Sequence, residues 1–325
     1  MRKLALTITA IAGMLSLAAE PGLAQNFPSK PMRIVVPFAA GGSPDVIARV
    51  IGEGLRQELG QPVVVDNRPG AGGSVAAEHV LQQPADGYTL FLGTTGNMAT
   101  NKSLYKQLRF DPETDFLPLS LAYVSSNVLI VRSGSDLKSV SDVIAKAKAQ
   151  PGKLSFGSPG IGTAGHLVGE LFNKRSGVEL IHVPYRGQPQ VVADLIGGQI
   201  DFSFEAIGTA IPAIQQGQVR GLAITTKERS GQLPDVPTFA EAGIGDFDLQ
   251  AWAMLAAHAR TPMPIAEQLN RAIVKVVHSQ AVLDRINGLG VQAKTSTITE
   301  AQALHKEEVQ RWRTIIDLIG FQKLD

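Results

Sequence analysis

The sequence predicts an α/β protein of two lobes joined by two chain crossings, and three observations carry that expectation. Short β-branched runs alternate with apolar residues at helical spacing along most of the chain. Two glycine loops, Gly41-Gly42-Ser43 and Gly157 to His166, each follow such a run and open a helix. Two apolar stretches, Leu117 to Arg132 and Ala251 to Ala257, stand where the chain can pass from one lobe to the other and return. A length of 325 residues agrees, since it suits about two domains. The lobes are expected at residues 25–124 with 251–325, and at residues 125–250.

The N-terminus reads as an export signal. Arg2 and Lys3 form a basic start, Leu4 to Ala19 an uncharged and largely apolar run, and Gly22-Leu23-Ala24 a small-x-small cleavage site. Residues 1–24 are therefore expected to be removed, leaving a soluble chain outside the cytoplasm. No later stretch approaches membrane-spanning length without charge.

Ile34-Val35-Val36 is the first strand, closed by Pro37, which has no N–H for a ladder. After the glycines, Val46, Ile47, Val50, Ile51 and Leu55 fall on one helical face, with Ser43 expected as N-cap and Pro44 at the first helical position. Backbone N–H groups and the positive end of the helix dipole then point into the loop, which suits an anion such as a carboxylate. The loop is not a P-loop, because GxxxxGK[ST] is absent. It also departs from a serine nucleophile elbow: Asp45 replaces the last glycine, and Pro44 removes an oxyanion donor. Val63-Val64-Val65 is a second strand, leading through Gly70-Ala71-Gly72-Gly73 to a helix. Val75 stands where a dinucleotide fingerprint needs its third glycine, so that reading fails. Tyr88 to Leu92 is a third strand, closed by Gly93-Thr94-Thr95-Gly96-Asn97, with hydroxyls and glycines where an open sheet places its ligand crevice. The apolar stretch Leu117 to Arg132 is expected to be broken at Ser125-Ser126-Asn127.

The second series runs through a helix at Val140 to Ala149, a strand at Leu154 to Phe156, and the second glycine loop, whose helix uses Leu167, Val168, Leu171 and Phe172. Strands follow at Leu180 to Val183, Ile200 to Phe204 and Gly221 to Thr225, with a helix through Val191 to Ile196. Helices at Ile265 to Val277 and Thr299 to Ile319 complete the first lobe. Each lobe then offers a helix N-terminus to one shared cleft.

Composition removes several function classes. Lys+Arg 30 against Asp+Glu 29 leaves almost no net charge, and aromatic content is 6%, so nothing favours a nucleic-acid partner or a polybasic membrane surface. Cysteine is absent, and His79, His166, His182, His258, His278 and His305 show no metal-ligand spacing, so neither metal nor cofactor is expected.

Pro37 to Asp45 resembles the PFxxGGxxD stretch of the solute-binding receptors of tripartite tricarboxylate transporters, the Bug proteins. The likeness continues through Val63–Gly73 (VVVDNRPGAGG), Asp86 to Leu90, Pro151-Gly152-Lys153-Leu154, Gly157–His166, His182 to Gly187 and Pro234 to Thr238. It implies a periplasmic two-lobed Venus-flytrap fold of the type II periplasmic-binding-protein class with two crossing strands. It also implies a small organic carboxylate as ligand, membrane permease subunits as partners, a monomeric receptor and no chemistry. Family members bind through loops after the strands. The matching positions are Phe38, Gly41, Gly42 and Ser43, then Thr94, Thr95, Gly96 and Asn97, then Ser158, Gly160, Gly162 and Thr163, with Tyr185 and Glu205. Arg186 stands where the family often has Lys, and Glu205 where a shorter Asp or Asn is common.

Several of these residues have a bland reading beside the functional one. Phe38 can be core or cleft wall. Asp45 is a ligand contact or a first-turn acid that favours the dipole. His166 is a ligand contact or structural, and Arg186 an anion partner or a solvated surface group. An α/β hydrolase-like enzyme using Ser43 is the second function.

Overall fold

The computed structural model describes residues 27–245, 247 and 249–325, so the export-signal reading lies outside the described residues. In chain order the elements are β1 (Met32–Val36), α1 (Ser43–Leu59), β2 (Val63–Asn67), α2 (Ser74–Leu81), β3 (Thr89–Thr94), α3 (Asn101–Leu104) and β4 (Phe116–Arg132). There follow α4 (Val140–Ala149), β5 (Ser155–Ser158), α5 (Ala164–Ser176), β6 (Ile181–Pro184), α6 (Gln188–Gly197), β7 (Phe202–Ala206), α7 (Ile207–Gln215) and β8 (Val219–Ile224). The chain ends with β9 (Gln250–His258), α8 (Met263–Val277), α9 (Gln280–Gly288), β10 (Gln292–Ala293) and α10 (Ile298–Ile319). Among the described residues no helix is long and apolar enough to cross a membrane.

β4 organises the sheet. Up to Ser126 it pairs antiparallel with β9, which pairs in turn with β3 of the parallel set β2-β1-β3. From Asn127 or Val128 onward it pairs with β7 and β8, and β7 continues into the parallel pair β5 and β6. Strand order β2-β1-β3-β9-β4-β7-β5-β6 therefore holds two parallel sets joined through one strand. The break expected at Ser125-Ser126-Asn127 does not occur. Ser125 and Ser126 pair with Ala251 and Gln250, and Asn127 pairs with Ala206, so the ladder is handed on without a gap. The Thr225 hydroxyl accepts the Asn127 N–H at 2.9 Å, which leaves short polar side chains free to stay extended. The return crossing comes where Leu249 N–H still donates to Thr225 in the second half, at 2.9 Å, while Gln250 already pairs with Ser126.

Strand alternation splits the core. Ile34, Val36, Leu90 and Leu92 pack with Ile47, Ile51 and Leu55 of α1 and Leu269, Ile273 and Val276 of α8. Val35 and Phe91 belong instead to the cluster holding Val80 of α2 and Trp312 and Ile316 of α10. Both faces are covered, as parallel strands require. In the second half Val128 and Ile130 join Val191, Leu195 and Ile211, while Leu129 and Val131 join Phe156, Phe172, Phe202 and Phe204.

The start of α1 differs from the sequence reading. Gly42, not Ser43, is the N-cap, and its carbonyl accepts from Val46 N–H at 3.1 Å. Ser43 is the first helical residue because its own N–H has a partner across the cleft, the Gln188 Oε1 at 3.1 Å.

Candidate functional site

Three helix N-termini meet where the two halves face each other. α1 starts at Ser43 and Pro44, a π-helical turn (Thr95–Thr100) running on into α3 starts at Thr95 and Gly96, and α5 starts at Ala164 and Gly165. All of these residues line one cavity of ≈ 60 Å³, room for a few water molecules. Phe38 and Thr94 complete one side, Pro159 and Thr163 the other. Tyr123, Ser125 and Asn127 of β4, Phe204 and Ala206 of β7, Ala251 and Trp252 of β9, and Gln188 of α6 close it.

Among the described residues, none that lines this cavity is charged. Its field comes from the backbone: the first N–H groups of a helix lack partners within it, and each N-terminus carries roughly +0.5 of a charge. Three together present roughly +1.5, a match for a small anion. The halves touch around it. Thr100 hydroxyl donates to the Gly162 carbonyl at 2.6 Å, and Ala39 N–H to the Arg186 carbonyl at 3.4 Å. The α5 start lies so close to β7 that a Cβ on Gly165 would come within 2.6 Å of the Phe204 carbonyl oxygen, so only glycine fits there.

Of the residues singled out from the sequence, Phe38, Ser43, Thr94, Thr95, Gly96 and Thr163 line the cavity. Others hold its walls in place. Asn97 Oδ1 accepts the Thr94 N–H at 2.9 Å and its Nδ2 donates to the Thr94 hydroxyl at 3.0 Å, closing the turn that opens at Thr95. Asp45 is buried and accepts the Gly41 N–H at 2.9 Å, with Arg49 at 2.9 Å. Desolvation opposes its charge, but the Arg49 and Gly41 bonds outweigh it and keep its pKa below the usual range. The dipole-favouring first-turn acid is thus the role its contacts describe. Gly42 faces Gln188, and Gly41 sits on the outer side against Pro189. Gly160 lies with Tyr185 and Arg186 in a rim groove beside Gly70 to Gly73, outside the central cavity. Tyr185 hydroxyl donates to Asp194 at 2.8 Å, and Arg186 is exposed. Glu205 is fully buried between the two lining residues Phe204 and Ala206, and alternation turns its side chain to the opposite face. Burial pushes its pKa up to about 8, since its Oε1 accepts only the Ala206 N–H and Oε2 has no partner.

Two imidazoles brace the second glycine loop from behind. Gly162 N–H donates to His166 Nδ1 at 3.1 Å, and Ser158 Oγ meets His182 Nε2 at 2.7 Å. The rings lie 4.1 Å apart, centroid to centroid, and burial drives their pKa values down to about 3 and about 4. Both are neutral in the fold, while an unfolded histidine takes its proton near 6.5. The unfolded state therefore binds more protons between those values, and stability is lost as pH falls from 6.5 toward 4. Each imidazole is expected to cost on the order of 1–3 kcal/mol by pH 4.5. Thermal midpoints at pH 7 and 4.5 check this: His182→Asn should lose less over that interval than the wild type.

Ser43 hydroxyl has Gln188 Oε1 as its partner at 3.5 Å, and an amide cannot serve as a general base. Among the described residues no three His, Asp or Glu side chains converge to hold a metal ion. The lining residues that the sequence reading missed are chiefly Tyr123, Asn127, Gln188, Phe204 and Trp252. Only Asn127 carried a signal, as part of a polar interruption in an apolar strand.

A family model described as tripartite tricarboxylate transporter family receptor matches residues 47–321. The chain belongs to that family. Solved relatives share the fold of this receptor over nearly its whole described length. The periplasmic binding protein BugD is 31% identical, covering 92% of this chain and 100% of its own, with a TM-score of 0.87. An R. palustris protein, Rpa4515, solved with adipate, is 34% identical with a TM-score of 0.89, covering 92% of this chain and 100% of its own. MatC from Rhodopseudomonas palustris, solved with bound malate, is 32% identical with a TM-score of 0.85, covering 89% of this chain and 100% of its own. The receptor is thus an α/β protein of the two-lobed periplasmic-binding-protein type.

Proposed function

We propose that this receptor is exported to the periplasm, captures a small organic carboxylate between its lobes, and presents it as a monomer to the membrane subunits of a tripartite tricarboxylate-type transporter. One observation carries the reading: three helix N-termini converge on one cavity that, among the described residues, no charged side chain lines. Backbone donors cannot swing away and carry no side-chain entropy, so a carboxylate there gains preorganised hydrogen bonds in place of water. Adipate and malate in two relatives support the ligand class. The lobes are residues 25–124 with 251–325, and 125–250, and they open about the strand crossings near Ser126 and Gln250, where the ladders change partner.

Calorimetric titration of malonate, succinate, glutarate, adipate and their 2-hydroxy derivatives tests the reading, with small-angle scattering for closure. Binding accompanied by a smaller radius is expected; no binding by any of them would sink it. Arg186→Ala separates backbone recognition from side-chain charge. Arg186 is exposed on the rim, and a solvent-screened charge contributes little. Affinity for the tightest of these acids is expected to stay within about threefold, under about 1 kcal/mol. Abolished binding in that variant would mean that charge, not the backbone, recognises the ligand.

A further inference from the structure

Gln188 opens α6 in the second half and is buried, yet its Oε1 reaches α1 of the first half. It accepts the Ser43 N–H at 3.1 Å and the Ser43 hydroxyl at 3.5 Å. The Thr209 hydroxyl of α7 donates to the same oxygen at 3.0 Å. These donors fix which end of the amide is oxygen, because an NH2 in that place would set N–H against N–H. The NH2 is left over. None of the described residues accepts from it, and the side chain lines the central cavity. Gly42 makes the arrangement possible: a Cβ there would lie 2.6 Å from Gln188 Oε1.

We infer that Gln188 is a carboxylate-reading latch, whose oxygen ties the two halves together while its NH2 donates to the bound carboxylate. The inference rests on the carboxylate reading above and adds a named contact that couples ligand to closure. An amide is conjugated, so a carboxylate accepting at Nε2 pushes electron density onto Oε1 and strengthens the bonds that oxygen accepts from Ser43 and Thr209. Conversely, the Thr209 bond lies within the second half and persists in either state, while the Ser43 bonds add their hold on the amide only when the halves are together. Ligand and closure therefore favour one another.

The test compares wild type, Gln188→Met and Thr209→Val by calorimetric titration of malonate, succinate, glutarate and adipate. Gln188→Met keeps the side-chain length and removes both amide ends; Thr209→Val removes one latch donor and keeps the NH2. Affinity for the tightest of the four acids is expected to fall at least 30-fold in Gln188→Met and about 3- to 5-fold in Thr209→Val. Unchanged affinity in Gln188→Met overturns the latch, and equal losses in the two variants overturn the NH2 contact. A wild-type protein that binds none of the four fails the carboxylate reading itself, before any variant is compared. Nitrogen-15 spectra of the wild type give a readout that needs no variant to fold. The assigned Gln188 side-chain NH2 signals should shift on addition of the tightest acid, and signals that stay put overturn the proposal.

Discussion

Gly72→Ala is expected to leave the receptor folded and unable to close. Gly72 lies in the loop before α2 with φ 58 and ψ 24, a left-handed conformation that costs a residue with a Cβ roughly 1 kcal/mol. The larger effect is steric and acts only in the closed form. A Cβ on Gly72 would run into the backbone carbonyl oxygen of Ile161 on the facing loop, with the Asn101 side-chain amide 3.2 Å away on another side. A backbone oxygen in a braced loop cannot rotate aside, so relief comes by parting the halves. That parting stretches the 2.6 Å bond from Thr100 to Gly162 and takes the α5 start away from the other two N-termini. Overpacking of this kind costs about 1–3 kcal/mol, all of it against the closed state, so carboxylate affinity should fall roughly 10- to 100-fold. Gly60→Ala is the control. It has φ +70 but nothing within 4 Å of its Cβ, so it should lower stability by a similar small amount and leave binding alone. Scattering should show Gly72→Ala at its open radius with the acid present at concentrations that compact the wild type. If it compacts and binds normally, the rim contact between Gly72 and Ile161 does not govern closure.

What could be read from the sequence was local, and what could not was made by distant segments meeting. The starts of α1 and α5 were legible because strand, glycine and helix follow one another within about a dozen residues. The helical turn at Thr95 was not, since Gly93 to Asn97 read only as a loop closing a strand. Gln188 was not, because its partner Ser43 is 145 residues away and nothing near Arg186-Gly187 announces it. Tyr123 and Trp252 were hidden in apolar stretches that read only as crossings; their place on the cavity follows from the antiparallel register of β4 and β9. Asn97, Ser158 and His166 show the opposite problem. Asn97 and Ser158 stood out as positions matching the family's binding loops, and His166 as either a ligand contact or a structural group. The fold uses the same chemistry to satisfy the loop's own backbone, as in the Gly162 N–H held by His166. Residue type alone cannot separate the two jobs, since both need a short polar group beside a strained turn. The long strand β4 was misread as broken for a related reason: Ser and Asn weaken a strand only when its ladder partners are missing, and two partners arrive there from far along the chain.

Glu205→Gln is expected to stabilise the receptor at alkaline pH and to flatten its loss of stability between pH 5 and 8. In the fold the Glu205 carboxyl is fully buried and its pKa stands at about 8, against 4.5 for a glutamate free in water. Burial is the first cause, and the single bond from Ala206 N–H offsets it only in part. Between those two values the folded state holds a proton that the unfolded state has released. Stability therefore falls as pH rises through that window and levels off above it. Water entry and relaxation soften a buried charge, so the loss expected by pH 8.5 is on the order of 2–4 kcal/mol. Gln keeps the Oε1 that accepts from Ala206 and never ionises. Its NH2 then occupies the place of Oε2, which already lacks a partner, at a cost of about 1–2 kcal/mol at every pH. The variant should thus be slightly weaker than wild type at pH 5 and stronger at pH 8.5, by about 2–5 °C in thermal midpoint. The buried imidazoles of His166 and His182 work in the opposite sense between pH 4 and 6.5, so removing the Glu205 contribution should also move the pH of greatest stability upward. Midpoints of both proteins across pH 5 to 9 decide the matter. Parallel curves would mean that Glu205 does not titrate in this range and that its buried carboxyl has a partner the fold does not display.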